Sequence, residues 1–105
     1  MVIYFSPTCD HCKNFIDTLL KNMKDFKHCT IILVTYVDIT EVKQFENDYR
    51  LKNYKNIIAG TEGNDFTVRF FYDVGTFPFI AVYNKNLMLD AIYRKPPPME
   101  KLKQL

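Results

Sequence analysis

The sequence predicts a single α/β domain with a central mixed β-sheet flanked by helices, in the element order βαβαβαββα. Short apolar runs alternate with stretches of helical periodicity along the first part of the chain, which implies parallel pairing of the early strands. Two further apolar runs lie close together near the end and read as an antiparallel hairpin. The 105 residues, 48% of them hydrophobic, suffice for one compact core and are too few for two ordinary domains.

The elements follow in order. Val2-Ile3-Tyr4-Phe5 is a short apolar run closed by Ser6-Pro7, a buried strand leading into a turn. Cys12, Phe15, Ile16, Leu19, Leu20, Met23 and Phe26 then recur at spacings of three and four, one apolar face of a helix of about four turns. Thr30 to Val37 is a nearly continuous apolar run rich in β-branched residues, as expected of a strand buried on both faces. Thr40 is a suitable cap for a helix carrying Val42, Phe45 and Tyr49 on one side.

Asn56-Ile57-Ile58-Ala59 predicts a short edge strand before the turn-rich "GTEGND". A short helix is expected over about Asp65 to Tyr72, with Phe66, Arg69, Phe70 and Asp73 at helical spacing. The alternation of Phe66, Val68 and Phe70 also permits a strand there. Phe79 to Tyr83 and Leu87 to Tyr93 are strands flanking the connection Asn84-Lys85-Asn86, and Pro96-Pro97-Pro98 opens a last helix over Met99 to Leu105.

Composition excludes several classes of function. The formal net charge is +2, and the basic residues are spread along the chain, so nucleic acid and anionic membranes are not expected partners. No apolar run approaches the roughly 20 residues that span a bilayer. The start "MVIYFSPTC" has neither a basic nor a long apolar segment, so the chain is expected to be soluble and without a visible address. Three cysteines are too few for a disulfide scaffold.

The stretch "SPTCDHCK" carries the chemistry. Cys9 and Cys12 sit at a strand-to-helix junction, Cys9 at the helix start and Cys12 one turn in. Unpaired N–H groups and the positive end of the helix dipole favour a thiolate at Cys9, while Cys12 faces the core, placed to attack a mixed disulfide from within. Cys9 is the candidate nucleophile and Cys12 the resolving thiol. Between them, a protonated His11 would stabilise a Cys9 thiolate and Asp10 would disfavour it. A zinc site formed by Cys9, Cys12, His28 and Cys29 competes, although adjacent His28 and Cys29 are poorly spaced for it. Haem attachment needs His directly after the second cysteine, where Lys13 stands. Cys29 is expected as a small core residue, and His28 as a solvated residue at the helix end. Tyr4 and Tyr36 are expected in sheet packing.

The strand Val2 to Phe5, "CDHC" opening a long amphipathic helix, and the later "YDVGTFPFIAVYNKN" together resemble the thioredoxin-like superfamily over almost the whole chain, read as one domain, 1–105. This resemblance implies a thioredoxin-like fold in which Pro78 is cis and packs beside the cysteine pair. It also implies that Phe77 offers its backbone to a substrate chain, making Phe77 and Pro78 substrate-binding residues. The other aromatics, Phe66, Phe70, Phe71, Tyr72 and Phe79, are expected in the core.

Within the superfamily, the helix Glu41 to Leu51 and the strand Asn56 to Ala59 resemble the helix-strand insertion, ahead of the cis-Pro strand, of bacterial TlpA- and ResA-type thiol-disulfide reductases. The implied location is periplasmic or cell-surface, with a membrane tether in the full-length protein. Two departures stand out: where thioredoxins bury a carboxylate this chain has Ile3, and where ResA-type reductases often carry a glutamate it has Phe15. The family's N-terminal strands are also missing. The implied activity is exchange of a Cys9–Cys12 disulfide with protein thiols and disulfides, as a reductant and a monomer. It would need an upstream electron donor and no cofactor. A non-catalytic docking module is the alternative, favoured by Ile3 and Phe15; a glutaredoxin-like enzyme is disfavoured by the insertion.

Overall fold

Every apolar run predicted as a strand forms one. The computed structural model describes residues 1–104. β1 (Val2–Tyr4) lies at the centre of a five-stranded sheet ordered β3-β2-β1-β4-β5. It pairs in parallel with β2 (Ile31–Thr35), which pairs in parallel with the edge strand β3 (Ile57–Thr61). On its other side β1 meets β4 (Phe79–Tyr83) antiparallel, and the hairpin returns as β5 (Leu89–Tyr93). The mixed sheet and the element order are as the sequence predicts.

α1 (Asp10–Lys21) packs its stripe of Cys12, Phe15, Ile16 and Leu19 onto the sheet face formed by Ile3, Ile31, Leu33, Ile80 and Val82. The stripe continues through Met23 and Phe26, but in a separate 3-10 turn, Met23–Phe26. The expected four-turn helix is interrupted because the Asn22 side chain donates to the Thr18 carbonyl at 2.7 Å, competing with the helical ladder. α2 (Ile39–Asp48) adds Phe45 to this layer, and α4 (Met99–Lys103) adds Leu102. α4 follows the proline run, with Pro98 as its N-cap, and ends at Lys103, short of the expected helix, with Gln104 as its C-cap; Leu105 lies outside the described residues. Thr40 is not the cap of α2. Asp38 is, its carboxylate accepting from the Thr40 N–H at 3.3 Å.

The second face of the sheet is covered differently. Its helix, α3 (Thr67–Phe71), has only five residues because Phe66 before it and Asp73 after it both take left-handed φ values of 52°. It covers the end of the sheet that carries Tyr4, Phe79 and Ala81. β2 is therefore not buried on both faces: Ile31, Leu33 and Thr35 are buried, whereas Ile32 is exposed. Register aligns Ile58, Ile32, Val2, Ala81 and Ile92 in one cross-strand row on this face, and Ile58 at its β3 end is 58% exposed.

The hairpin loop is longer than predicted. Leu87 is left-handed, and the Asn84 carboxamide oxygen accepts from the N–H groups of Asn86 and Met88, so pairing resumes only at Leu89.

Leu33→Ala should cost about 3 kcal/mol, because it empties fully buried space between sheet and helices, whereas Ile58→Ala should cost less than about 1 kcal/mol. Urea unfolding of the two variants checks this; equal losses would contradict the asymmetry between the two sheet faces.

Candidate active site

Cys9 is the residue at which the loop after β1 becomes α1. Its backbone is extended (φ −85°, ψ 121°) as befits an N-cap, its N–H donates to the Ser6 carbonyl at 3.1 Å, and its carbonyl accepts from the Lys13 N–H at 3.0 Å. The helix turns Cys12 inward to full burial and leaves Cys9 half-buried at the surface. All three cysteines are free thiols.

Burial pushes the Cys12 thiol up to about 12, and the adjacent Cys9 pushes the same way; a hydrogen bond from the Ser6 backbone works against them. Ile3 and Phe15 are buried in the same cluster as Cys12, so neither position offers it a carboxylate. Asp10 and His11 occupy the first turn of α1 with exposed side chains.

The loop before β4 meets Cys9 from the opposite side. The Phe77–Pro78 bond is cis and Pro78 is buried. The Cys9 thiol donates to the Phe77 carbonyl at 3.9 Å, a long sulfur contact. The Phe77 ring stacks on Tyr4 at 5.8 Å and on Tyr36 at 5.7 Å between centroids, with the Arg69 guanidinium 5.2 Å from its own centroid. The structure thus brings Cys9, Cys12, Phe77 and Pro78 together, with Asp10 and His11 at the rim.

Sequence reasoning misses the support behind this loop. Glu62 follows β3 and accepts from the Tyr4 hydroxyl (2.6 Å), the Val68 N–H (2.7 Å) and the Arg69 N–H (3.2 Å). It therefore joins the end of the edge strand, the central strand and the start of α3 at one carboxylate. Burial alone raises the Glu62 carboxyl, but the hydrogen bonds from Tyr4 and from the Val68, Arg69 and Thr67 N–H groups together outweigh it and hold the group below its usual range. Burial, reinforced by Glu62, pushes the Tyr4 phenol strongly up. The acids Glu62 and Asp65 in "GTEGND", ahead of a helical stretch, are the only sequence signal for this role, and nothing local singles out Glu62.

Several expectations about aromatics and cysteines need correction. Phe70 and Phe71 are not core residues: α3 turns Val68 toward the sheet and leaves them 76% and 75% exposed. Tyr36, expected only in sheet packing, lies against Phe77 at the site. The four residues considered as zinc ligands do not assemble, since among the described residues no three His, Cys, Asp or Glu side chains converge. Cys29 packs half-buried at the core's edge, and His28 is exposed.

No family model and no curated protein matches this chain. Solved structures do. A solution structure from Neisseria meningitidis, described as a thioredoxin, superposes with a TM-score of 0.80 at 20% identity, over 98% of this chain and 68% of that one. A secreted Mycobacterium tuberculosis disulfide oxidoreductase homologous to E. coli DsbE gives 0.78 at 15% identity, over 98% and 75%. The exposed lipoprotein thioredoxin Etrx1 of Streptococcus pneumoniae gives 0.55 at 16% identity, over 99% and 82%. The chain therefore has the thioredoxin-like fold that its motifs suggested.

Glu62→Ala should lower stability by about 2 kcal/mol at neutral pH, the scale of charge-assisted hydrogen bonds lost from a half-buried site. Because the folded-state carboxyl lies below its unfolded value, this contribution is complete above about pH 4.3 and fades as pH falls through the lower folded value. Denaturant unfolding of both proteins at pH 7 and pH 3 tests it; a difference that does not shrink at pH 3 would mean that the carboxylate charge is not what holds α3.

Proposed function

We propose that this protein is a thiol-disulfide oxidoreductase that reduces disulfides in protein substrates outside the cytoplasm. The observation that carries the proposal is the pairing of a half-exposed Cys9 at the helix N-cap with a fully buried Cys12 one turn on, directly beside the Phe77 carbonyl. That arrangement offers one sulfur to a partner and withholds the other.

In the reducing direction, the Cys9 thiolate attacks a substrate disulfide, forming a Cys9–substrate disulfide and releasing one substrate thiolate. Cys12 then loses its proton, attacks the Cys9 sulfur and forms the Cys9–Cys12 disulfide. The second substrate thiolate leaves, so two electrons pass to the substrate. With Ile3 and Phe15 in the core around it, Cys12 has no carboxylate at either of those positions to take its proton. Asp10 and His11 act on Cys9 in opposite senses, and Phe77 with Pro78 receives the substrate backbone.

The reductant direction follows from two considerations. Burial of Cys12 disfavours its thiolate, and loss of thiolate stabilisation in the reduced form makes a dithiol pair more reducing. α2 and β3 also form the helix-strand unit that resembles the insertion of TlpA- and ResA-type reductases. An upstream electron donor returns the pair to the dithiol. An extracytoplasmic site of action is supported by the secreted and exposed character of two of the matching proteins.

Cys9→Ser should abolish disulfide exchange in an insulin reduction assay, and Cys12→Ser should accumulate mixed disulfides visible by mass spectrometry under non-reducing conditions. Turnover by Cys9→Ser would overturn the assignment. If the protein binds its partner yet leaves insulin reduction by dithiothreitol unaccelerated, it is instead a docking module.

Since burial holds the Cys12 thiol well above its usual range, its thiolate becomes more abundant as pH rises, and resolution of the mixed disulfide should accelerate between pH 7 and 9. Rapid-quench kinetics would reveal this. A rate flat across that interval would require a base at Cys12.

A further inference from the structure

The geometry points to a charge-reading subsite beside Cys9, in which Arg69 selects substrate strands that carry a carboxylate next to the cysteine lying along Phe77. This rests on the exchange function proposed above and names the class of substrate: an extended, acidic, cysteine-bearing protein segment.

Phe77 can accept such a strand. Its carbonyl has only the 3.9 Å contact from the Cys9 thiol, its N–H donates to no backbone carbonyl among the described residues, and the β1–β4 register begins at Phe79. An incoming extended backbone can pair with these free groups and bring its sulfur to Cys9.

What flanks that position is unusual. Phe77, Tyr36, Phe66 and Phe70 form a row of rings with successive centroid separations of 5.7, 6.4 and 6.2 Å, running from the site to solvent. The Arg69 guanidinium lies over this row, 5.2 Å from the Phe77 centroid and 5.7 Å from those of Tyr36 and Phe66. It is held in place from its own backbone, whose N–H donates to Glu62, and through its Nε, which donates to the Val74 carbonyl at 3.4 Å.

The charge itself is unanswered. Among the described residues no carboxylate lies within 4.0 Å of the guanidinium, and neither Nη donates a hydrogen bond. Glu62 is close, but both its oxygens already accept from Tyr4, Val68 and Arg69 backbone or hydroxyl donors. A planar cation fixed on aromatic faces, with its outer fork free, suits bidentate capture of a carboxylate. The exposed Phe70 ring beyond it suits an apolar residue further along the same strand. Charge complementarity thus commits the surface to an acidic strand.

The test uses the full chain and two peptide disulfides that differ only in Glu or Gln beside the cysteine, together with fluorescein-labelled versions in which Ser replaces that cysteine. The Glu peptide should show a KM and a Kd about fivefold lower than the Gln peptide at low salt, with kcat unchanged. Arg69→Met should erase the preference, raising the KM and Kd of the Glu peptide far more than those of the Gln peptide, and Arg69→Lys should retain part of it. Exchange without a preference, or a preference that survives Arg69→Met, would overturn the subsite and leave the exchange function standing. An Arg69-dependent preference in binding with no exchange of either peptide would do the reverse. Absence of both binding and exchange would overturn both.

Discussion

The packing of one helix face against one sheet face governs this molecule. α1 must bury Phe15, Ile16 and Leu19 against Ile3, Leu33 and Ile80, and that requirement fixes its rotation about its own axis. Cys12 belongs to the same stripe and is carried to full burial with it, while Cys9, three residues earlier, is left at the cap. A helix advances about 100° per residue, so no rotation that keeps Phe15 and Ile16 inside could expose Cys12 as well. The difference in exposure between the two thiols is thus a by-product of core packing. The raised Cys12 thiol is its electrostatic signature, since the apolar surroundings that stabilise the fold are those that disfavour a second thiolate.

The other half of the site depends on the opposite sheet face. Phe77 is held from below by Tyr4 and from the side by Tyr36 and Arg69. Glu62 organises that support by binding both the Tyr4 hydroxyl and the first N–H groups of α3. A five-residue helix that buries no side chain fully would be marginal alone, so a carboxylate at its start supplies what packing does not. The edge strand β3 therefore does more than widen the sheet. It delivers Glu62, and through it β3 is tied to the loop that faces Cys9. The Glu62 carboxylate lies behind the Phe77 loop, where it shapes that loop without contacting Cys12.

What was legible in the sequence was what periodicity records. Val2 to Phe5, the stripe from Cys12 to Leu19, and Phe79 to Tyr83 each repeat a local pattern whose burial follows directly, and the position of CDHC between the first two places both thiols. Boundaries failed where side chains compete with backbone: Asn22 ends α1, Asp38 takes the cap from Thr40, and Asn84 lengthens the hairpin loop. The uncovered row at Ile32 and Ile58 was invisible because it depends on the length of a helix elsewhere in the chain. Glu62 and Tyr4 are 58 residues apart, and no local spacing encodes their contact. Phe66, Phe70 and Arg69 presented the same composition whether core or surface; only the rotation of α3 distinguishes the two.

The most direct test is the equilibrium reduction potential of the Cys9/Cys12 pair, measured against a glutathione buffer with the thiols trapped and counted by mass spectrometry. A potential near or below the thioredoxin value of about −270 mV is expected of a pair whose inner thiol is buried and protonated. A potential near about −120 mV would contradict the assignment as a reductant. Failure of Cys9 and Cys12 to form a disulfide at any poise would contradict the redox function altogether.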